Sequence, residues 1–158
     1  MSGFQISIFV HLIGFGLLVA TMVGGFVLEM QFRRTTEIQQ KLTVARSLKS
    51  IGIFSPIATL TLLVTGVGNM HFRGYTLLSE GWLTAKILLF VIMLISGIIF
   101  AVVSRKRGKI ISEMAQGTTP QDADATLKSL NGQVSMFHLV MFVLVLMILG
   151  LTVSGAVS

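Results

Sequence analysis

The stretch WLTAKILLFVIMLISGIIFAVV, Trp82–Val103, holds a single charge, Lys86. The hydrocarbon core of a bilayer is about 30 Å thick, and a helix rising about 1.5 Å per residue needs about 20 apolar residues to cross it. Trp82–Val103 supplies that length and reads as a membrane span. Three other stretches share its character: Phe4 to Phe32, Ile51 to Met70 and Val134 to Val157. Together they fill most of the 158 residues. The fold class expected is all-α: a polytopic membrane protein whose four transmembrane helices form an up-down-up-down bundle, a single domain over residues 1–158. Short connections favour antiparallel neighbours.

Composition agrees. An apolar content of 53% with only 11% charged residues, and a mean hydropathy of +0.88, exclude an ordinary soluble domain. The chain has no cysteine, which removes disulfides, cysteine-held iron–sulfur clusters and thiolate metal sites. The net charge of +6 is concentrated between spans. Arg33, Arg34, Lys41, Arg46 and Lys49 follow the first span. Arg105, Lys106, Arg107, Lys109 and Lys128 follow the third, and the middle connection has only Arg73 and Glu80. Lys and Arg accumulate on the cytoplasmic side of membrane proteins. Both termini are therefore expected outside, with loops 33–50 and 104–133 in the cytoplasm, in a prokaryotic-type inner membrane. The bilayer is the expected partner, its anionic headgroups suited to these basic loops; nucleic acid is not. A homo-oligomer or a larger membrane complex is the other partner to consider.

Local signals refine the picture. The N-terminus lacks a basic n-region, so the first span is expected to be retained. Its helix should begin near Gly3 and run past the membrane toward Glu37. Pro56 predicts a kink in the second span. Tyr75 and Trp82, the only Tyr and Trp, bracket a connection where an aromatic belt would sit. Thr119-Pro120-Gln121-Asp122 reads as a helix start near Pro120, with a disturbance at Gly132. Gly14, Gly24, Gly25, Gly66, Gly68 and Gly97 permit close helix approach.

Ionisable residues inside spans are costly and point to function. His11 and Glu29 stand eighteen residues apart, which is five helical turns at about 100° per residue, so they share one face. His11 is either hydrogen-bonded to a neighbouring helix or a ligand or proton carrier. Lys86 either snorkels to headgroups or meets an anionic group between helices, on a stripe with Phe90, Met93 and Gly97. His71 ends the second span, solvated or ligating. Glu29 has a ready partner in Arg33, four residues on, with His138 as the alternative. The nine methionines invite Cu(I), but methionine is also an ordinary packing residue.

His11, the second-span run Ile53-Phe54-Ser55-Pro56-Ile57-Ala58-Thr59-Leu60-Thr61-Leu62-Leu63-Val64-Thr65-Gly66, and Gly81-Trp82-Leu83-Thr84-Ala85-Lys86 carry a resemblance. The chain resembles the four-helix membrane superfamily of HemJ-type protoporphyrinogen oxidases and CopD-like domains. That family similarly has a first-span His, a Pro-containing second span ending near Gly, and a Trp-Leu-x-x-Lys start to its third. The resemblance covers about two-thirds of the chain and implies a heme-associated bundle in which His11 and Lys86 hold the functional positions.

The leading expectation is a b-type heme, or a related tetrapyrrole, serving membrane redox chemistry or electron transfer. His11 and His71 are the candidate iron ligands; Lys86 and Arg73 are the candidate partners of the propionates. Three histidines allow at most one bis-His heme. The alternatives are a non-catalytic structural or assembly subunit of a larger membrane complex, and a transporter that would need to oligomerise.

Overall fold

The computed structural model describes residues 2–76 and 80–157, and the side chains up to Gly155. Among the described residues there are five helices: α1 (Gly3–Arg34), α2 (Ile38–Gly52), α3 (Phe54–Phe72), α4 (Gly81–Ala115) and α5 (Ala123–Val157). No strand occurs among the described residues. Four helical stretches are long and apolar enough to cross a membrane: α1, α2 with α3, α4 and α5. The four-span all-α expectation stands. α1 and α4 run well past their apolar segments, so the bundle has a long basic end. The start of α1 and the end of α5 lie at the opposite end, where Gly3 meets Phe72 and Gly155 meets Trp82.

The segment after the first span is not a loop. Ile38, Leu42, Val44, Ala45 and Leu48 turn one face of α2 inward. Val44 packs with Phe32 of α1 and Ile111 of α4, with Leu127 of α5 alongside. α2 therefore closes the basic end. Burying a large apolar side chain such as Ile111, 1% exposed, stabilises by about 1.5–3 kcal/mol where the alternative is water.

Pro56 coincides with a disturbance of the second span, as expected of it. A proline clashes with the carbonyl four residues back and cannot bond to it. Here that residue is Gly52, where α2 ends, and α3 restarts at Phe54. Pro56 thus falls in the first turn of α3, where a backbone N–H has no intrahelical partner to lose. The interruption is a single residue, Ile53, whose backbone stays helical at φ −64° and ψ −31°, so α2 and α3 count together as one membrane-length stretch disturbed next to Pro56.

The other helix ends have local causes. Ser2 and Gln5 form a capping box at the start of α1. α3 and α4 end in Schellman motifs with glycine at positive φ, Gly74 at 70° and Gly117 at 85°. After Gly74, Tyr75 N–H bonds to Met70 C=O; after Gly117, Thr118 N–H bonds to Glu113 C=O. α5 begins at Ala123, later than the Pro120 expected. Thr119 and Pro120 precede a turn that Asp122 closes at φ 61°, with Ala123 N–H on Pro120 C=O. α5 continues through Gly132 without a break.

Two helix pairs make the close approaches, α1 with α3 and α4 with α5. Lipid tails are as apolar as leucine, so packing at small residues holds such pairs together. A Cβ at Gly14 would stand 2.9 Å from Thr61 Cγ2, and one at Gly155 would overlap the Trp82 ring. Larger side chains fill the space between the pairs: Leu18, Ala58, Leu62, Met93, Met141, Leu144 and Val145 form one core. Gly97, expected to aid packing, faces open space.

Candidate functional site

Polar side chains enter the bundle at two depths. Toward the terminal end, α1 presents Ser7 and His11 to α3. The Thr65 hydroxyl lies 2.6 Å from Thr61 C=O and spends its only proton there. It also lies 2.7 Å from His11 Nδ1, and toward that nitrogen it can only accept. With the hydroxyl proton on Thr61 C=O, Nδ1 is the ring's donor and Nε2 its lone pair. Gly66 makes room for the ring: a Cβ there would stand 3.8 Å from His11 Cε1.

The Lys86 ammonium on α4 is near enough for its charge to act on this imidazole. Among the described residues Lys86 has no hydrogen bond or ion pair. One turn beyond Thr65, the buried Asn69 Oδ1 is also unpartnered. The terminal half thus gathers His11, Thr65, Lys86 and Asn69 around α3.

His71 and Arg73 lie at the rim. His71 is exposed and its ring faces its neighbour Phe72, centroids 6.3 Å apart. It follows Thr65 by six residues, about 9 Å along the helix axis. Arg73 places its guanidinium over the Phe4 ring at 5.7 Å. Tyr75 and Trp82 meet edge to face at 6.1 Å, at the same end.

The basic half is organised by charge. Glu29 is 3% exposed and Arg107 4%. Arg107 grips the carboxylate with both terminal nitrogens, NH2 to Oε2 at 2.7 Å and NH1 to Oε1 at 2.9 Å. Such bidentate pairs are strong and geometrically selective. Arg33 Nε donates to Oε1 at 3.1 Å, the expected i,i+4 pair. Arg33 also reaches Asn131 C=O and the Ser135 hydroxyl, and Arg107 reaches Asn131 Oδ1. Phe32 lies beneath Arg107, 4.4 Å from guanidinium to ring centre. The cluster ties α1, α4 and α5 together where α2 seals them.

Sequence reading missed Arg107 by counting it among loop charges. The signal was present: Lys86, Met93, Phe100 and Arg107 recur every seven residues, so the inward stripe of α4 continues beyond the apolar segment.

His138 is not Glu29's partner. Its Nδ1 donates to Val134 C=O at 2.8 Å, which again leaves Nε2 bare. The ring sits edge-on to Phe26, Phe100 and Phe137, each centroid within 6 Å. Nε2 faces Gly25, where a Cβ would stand 3.9 Å away. His11 and Gly25 are fourteen residues apart on α1, about 21 Å. The two imidazoles therefore cannot share one iron. Among the described residues, no three His, Asp or Glu side chains gather as a metal cage.

No curated protein and no solved structure matches the chain. The family described as predicted integral membrane protein (DUF2269) matches over residues 6–155, nearly the whole of it. The chain belongs to this family of integral membrane proteins.

Proposed function

We propose that this membrane protein binds a b-type heme through His11 and serves membrane redox chemistry or electron transfer. One observation carries the reading: Thr65 holds His11 Nδ1–H and leaves Nε2 free inside a span. A ligating histidine typically donates its other N–H in this way, which fixes the ring and raises its basicity. The residues present fit a tetrapyrrole in kind. His11 offers an imidazole nitrogen, the surrounding helices are apolar, and Lys86 offers an unpaired cation suited to a propionate. Arg73 and His71 at the rim supply a second cation and the candidate second ligand. The heme, when bound, supplies one-electron redox chemistry. The chain's part is to orient His11 through Thr65, to place positive charge near it, and to exclude water. The resemblance to HemJ-type and CopD-like bundles supports the same reading. So does the absence of cysteine, which restricts attachment to a non-covalent, b-type mode.

We place both termini outside a prokaryotic-type inner membrane, on the strength of the basic residues gathered at the opposite end. Cysteines introduced at Arg46 and Gln116 should resist an impermeant label in intact cells; labelling of both would invert this orientation.

The deciding experiment for heme is an absorption spectrum of gently purified protein, oxidised and reduced. A Soret band and a b-type reduced spectrum are expected. His11→Ala should abolish or shift them, and His138→Ala should leave them largely intact. A colourless, folded preparation from heme-supplemented cells would favour a structural subunit of a larger membrane complex instead.

A further inference from the structure

Where α1 leaves its apolar segment and the chain turns into α2, the surface carries an open groove of about 460 Å³. Val27, Met30, Gln31 and Arg34 line it from α1, Thr36 from the connection and Gln40 from α2. The four α1 residues are spaced three, one and three apart, so they form one face of the helix. Glu29 and Phe32 are buried in the bundle instead.

The groove changes character along its length. Val27 and Met30 are apolar and exposed. Arg34 stands seven residues beyond Val27, about 10 Å of helix rise. The headgroup zone on each side of a bilayer is about 5–8 Å deep. One groove therefore spans the step from hydrocarbon to phosphate.

Its polar end has donors to spare. Arg34 is the one charged residue among those lining it. Among the described residues the Arg34 side chain makes no hydrogen bond, ion pair or ring contact. Its basic neighbours are engaged: Arg33 and Arg107 hold Glu29, and Lys41 lies over Phe32 at 6.0 Å. The nearest acid in sequence, Glu37, lies outside the lining and accepts from Gln40 Nε2.

We propose that this groove seats one anionic phospholipid, its phosphate on the Arg34 guanidinium and the Thr36 hydroxyl and its upper acyl chain along Val27 and Met30. A guanidinium matches phosphate oxygens in bidentate fashion. A zwitterionic lipid brings an ammonium with its phosphate, and no lining carboxylate receives that charge. The site lies at the basic end, away from His11, and does not rest on the heme reading.

The test is native mass spectrometry of the full chain in a neutral detergent, titrated with phosphatidylglycerol or with phosphatidylcholine of the same acyl chains. One phosphatidylglycerol should bind well before any phosphatidylcholine is retained. Arg34→Gln should weaken that binding about tenfold, the effect of losing charge-assisted bonds to a phosphate. Arg46→Gln removes the same charge from an exposed position on α2 outside the groove, and should change it far less. Equal retention of the two lipids by the unmodified protein would overturn the proposal, whatever the variants do. Equal losses in Arg34→Gln and Arg46→Gln would overturn it as well, since attraction would then come from diffuse charge and not from a site.

Discussion

The two halves of this bundle solve the same problem by different means. Each holds a half-buried imidazole bonded through Nδ1, with no partner at Nε2. In the terminal half His11 bonds to a side chain on another helix, close to an unpaired lysine. In the basic half His138 bonds to its own backbone, inside a ring of phenylalanines and on the same side of the bundle as the Glu29–Arg107 pair. The terminal half is held by close approach and neutral hydrogen bonds and leaves donors and acceptors unused. The basic half is held by charge, although His138 Nε2 and Ser104 Oγ are left without partners there. The heme proposal draws on the terminal half because an unpaired cation, Lys86, lies near the imidazole there.

Removing one partner of the buried ion pair should give the largest effect. Arg107→Met leaves the Glu29 carboxylate buried without its main partner, a loss of about 3–5 kcal/mol. Reversible unfolding in mixed micelles measures it. Glu29→Leu combined with Arg107→Met should recover most of the loss, since a buried pair exchanged for apolar groups is often neutral. If the double variant is no better than the single, Glu29 and Arg107 are not acting as a pair.

The next effect belongs to the terminal half. Gly14→Leu places side-chain atoms where Thr61 already stands, and overpacking of this kind typically costs about 1–3 kcal/mol. The same unfolding assay reads it, and His11 should lose its register with Thr65. A variant as stable as the parent would show that close approach does not hold α1 to α3.

Thr65→Val keeps the shape and removes the acceptor for His11 Nδ1. The net cost of losing one such bond is about 0.5–1.5 kcal/mol. Its sharper readout is the heme: loss of a bond that orients a ligand typically lowers affinity about 10–100-fold. Unchanged heme retention would remove Thr65 from the site. Arg33→Ala should matter least. Its side chain is 43% exposed, and exposed pairs contribute about 0.2–1 kcal/mol. A loss as large as that of Arg107→Met would mean that Arg33 carries the cluster.

How much of this could be read from the residues varies along the chain. The spans were legible because twenty apolar residues in a row have few other uses. Periodicity also placed His11 and Glu29 on one face of α1, and the structure turns that face inward. Pro56 was legible as a disturbance of the second span, and the helix is interrupted three residues before it. Once α2 exists, the clash with Gly52 falls at a boundary. α2 itself was hidden by its charges, which are the exposed half of an amphipathic pattern. Thr119-Pro120 offered a good helix start, yet Asp122 takes a left-handed backbone and delays α5 by three residues.

The sequence by itself determined that this is a membrane protein of four spans with its basic residues toward one end. Those properties follow from transfer between water and hydrocarbon, and transfer depends on local composition. It also offered His11 and Lys86 as residues costly enough to need a reason. Only the tertiary structure decided their surroundings. Thr65 became the acceptor for His11 because Gly14 and Gly66 let α1 and α3 approach closely. Arg107 became the partner of Glu29 because α4 extends beyond its apolar segment and turns its inward stripe toward α1. Hydrogen bonds and ion pairs act over a few ångströms between residues far apart in sequence, so which of them form depends on how the helices are placed.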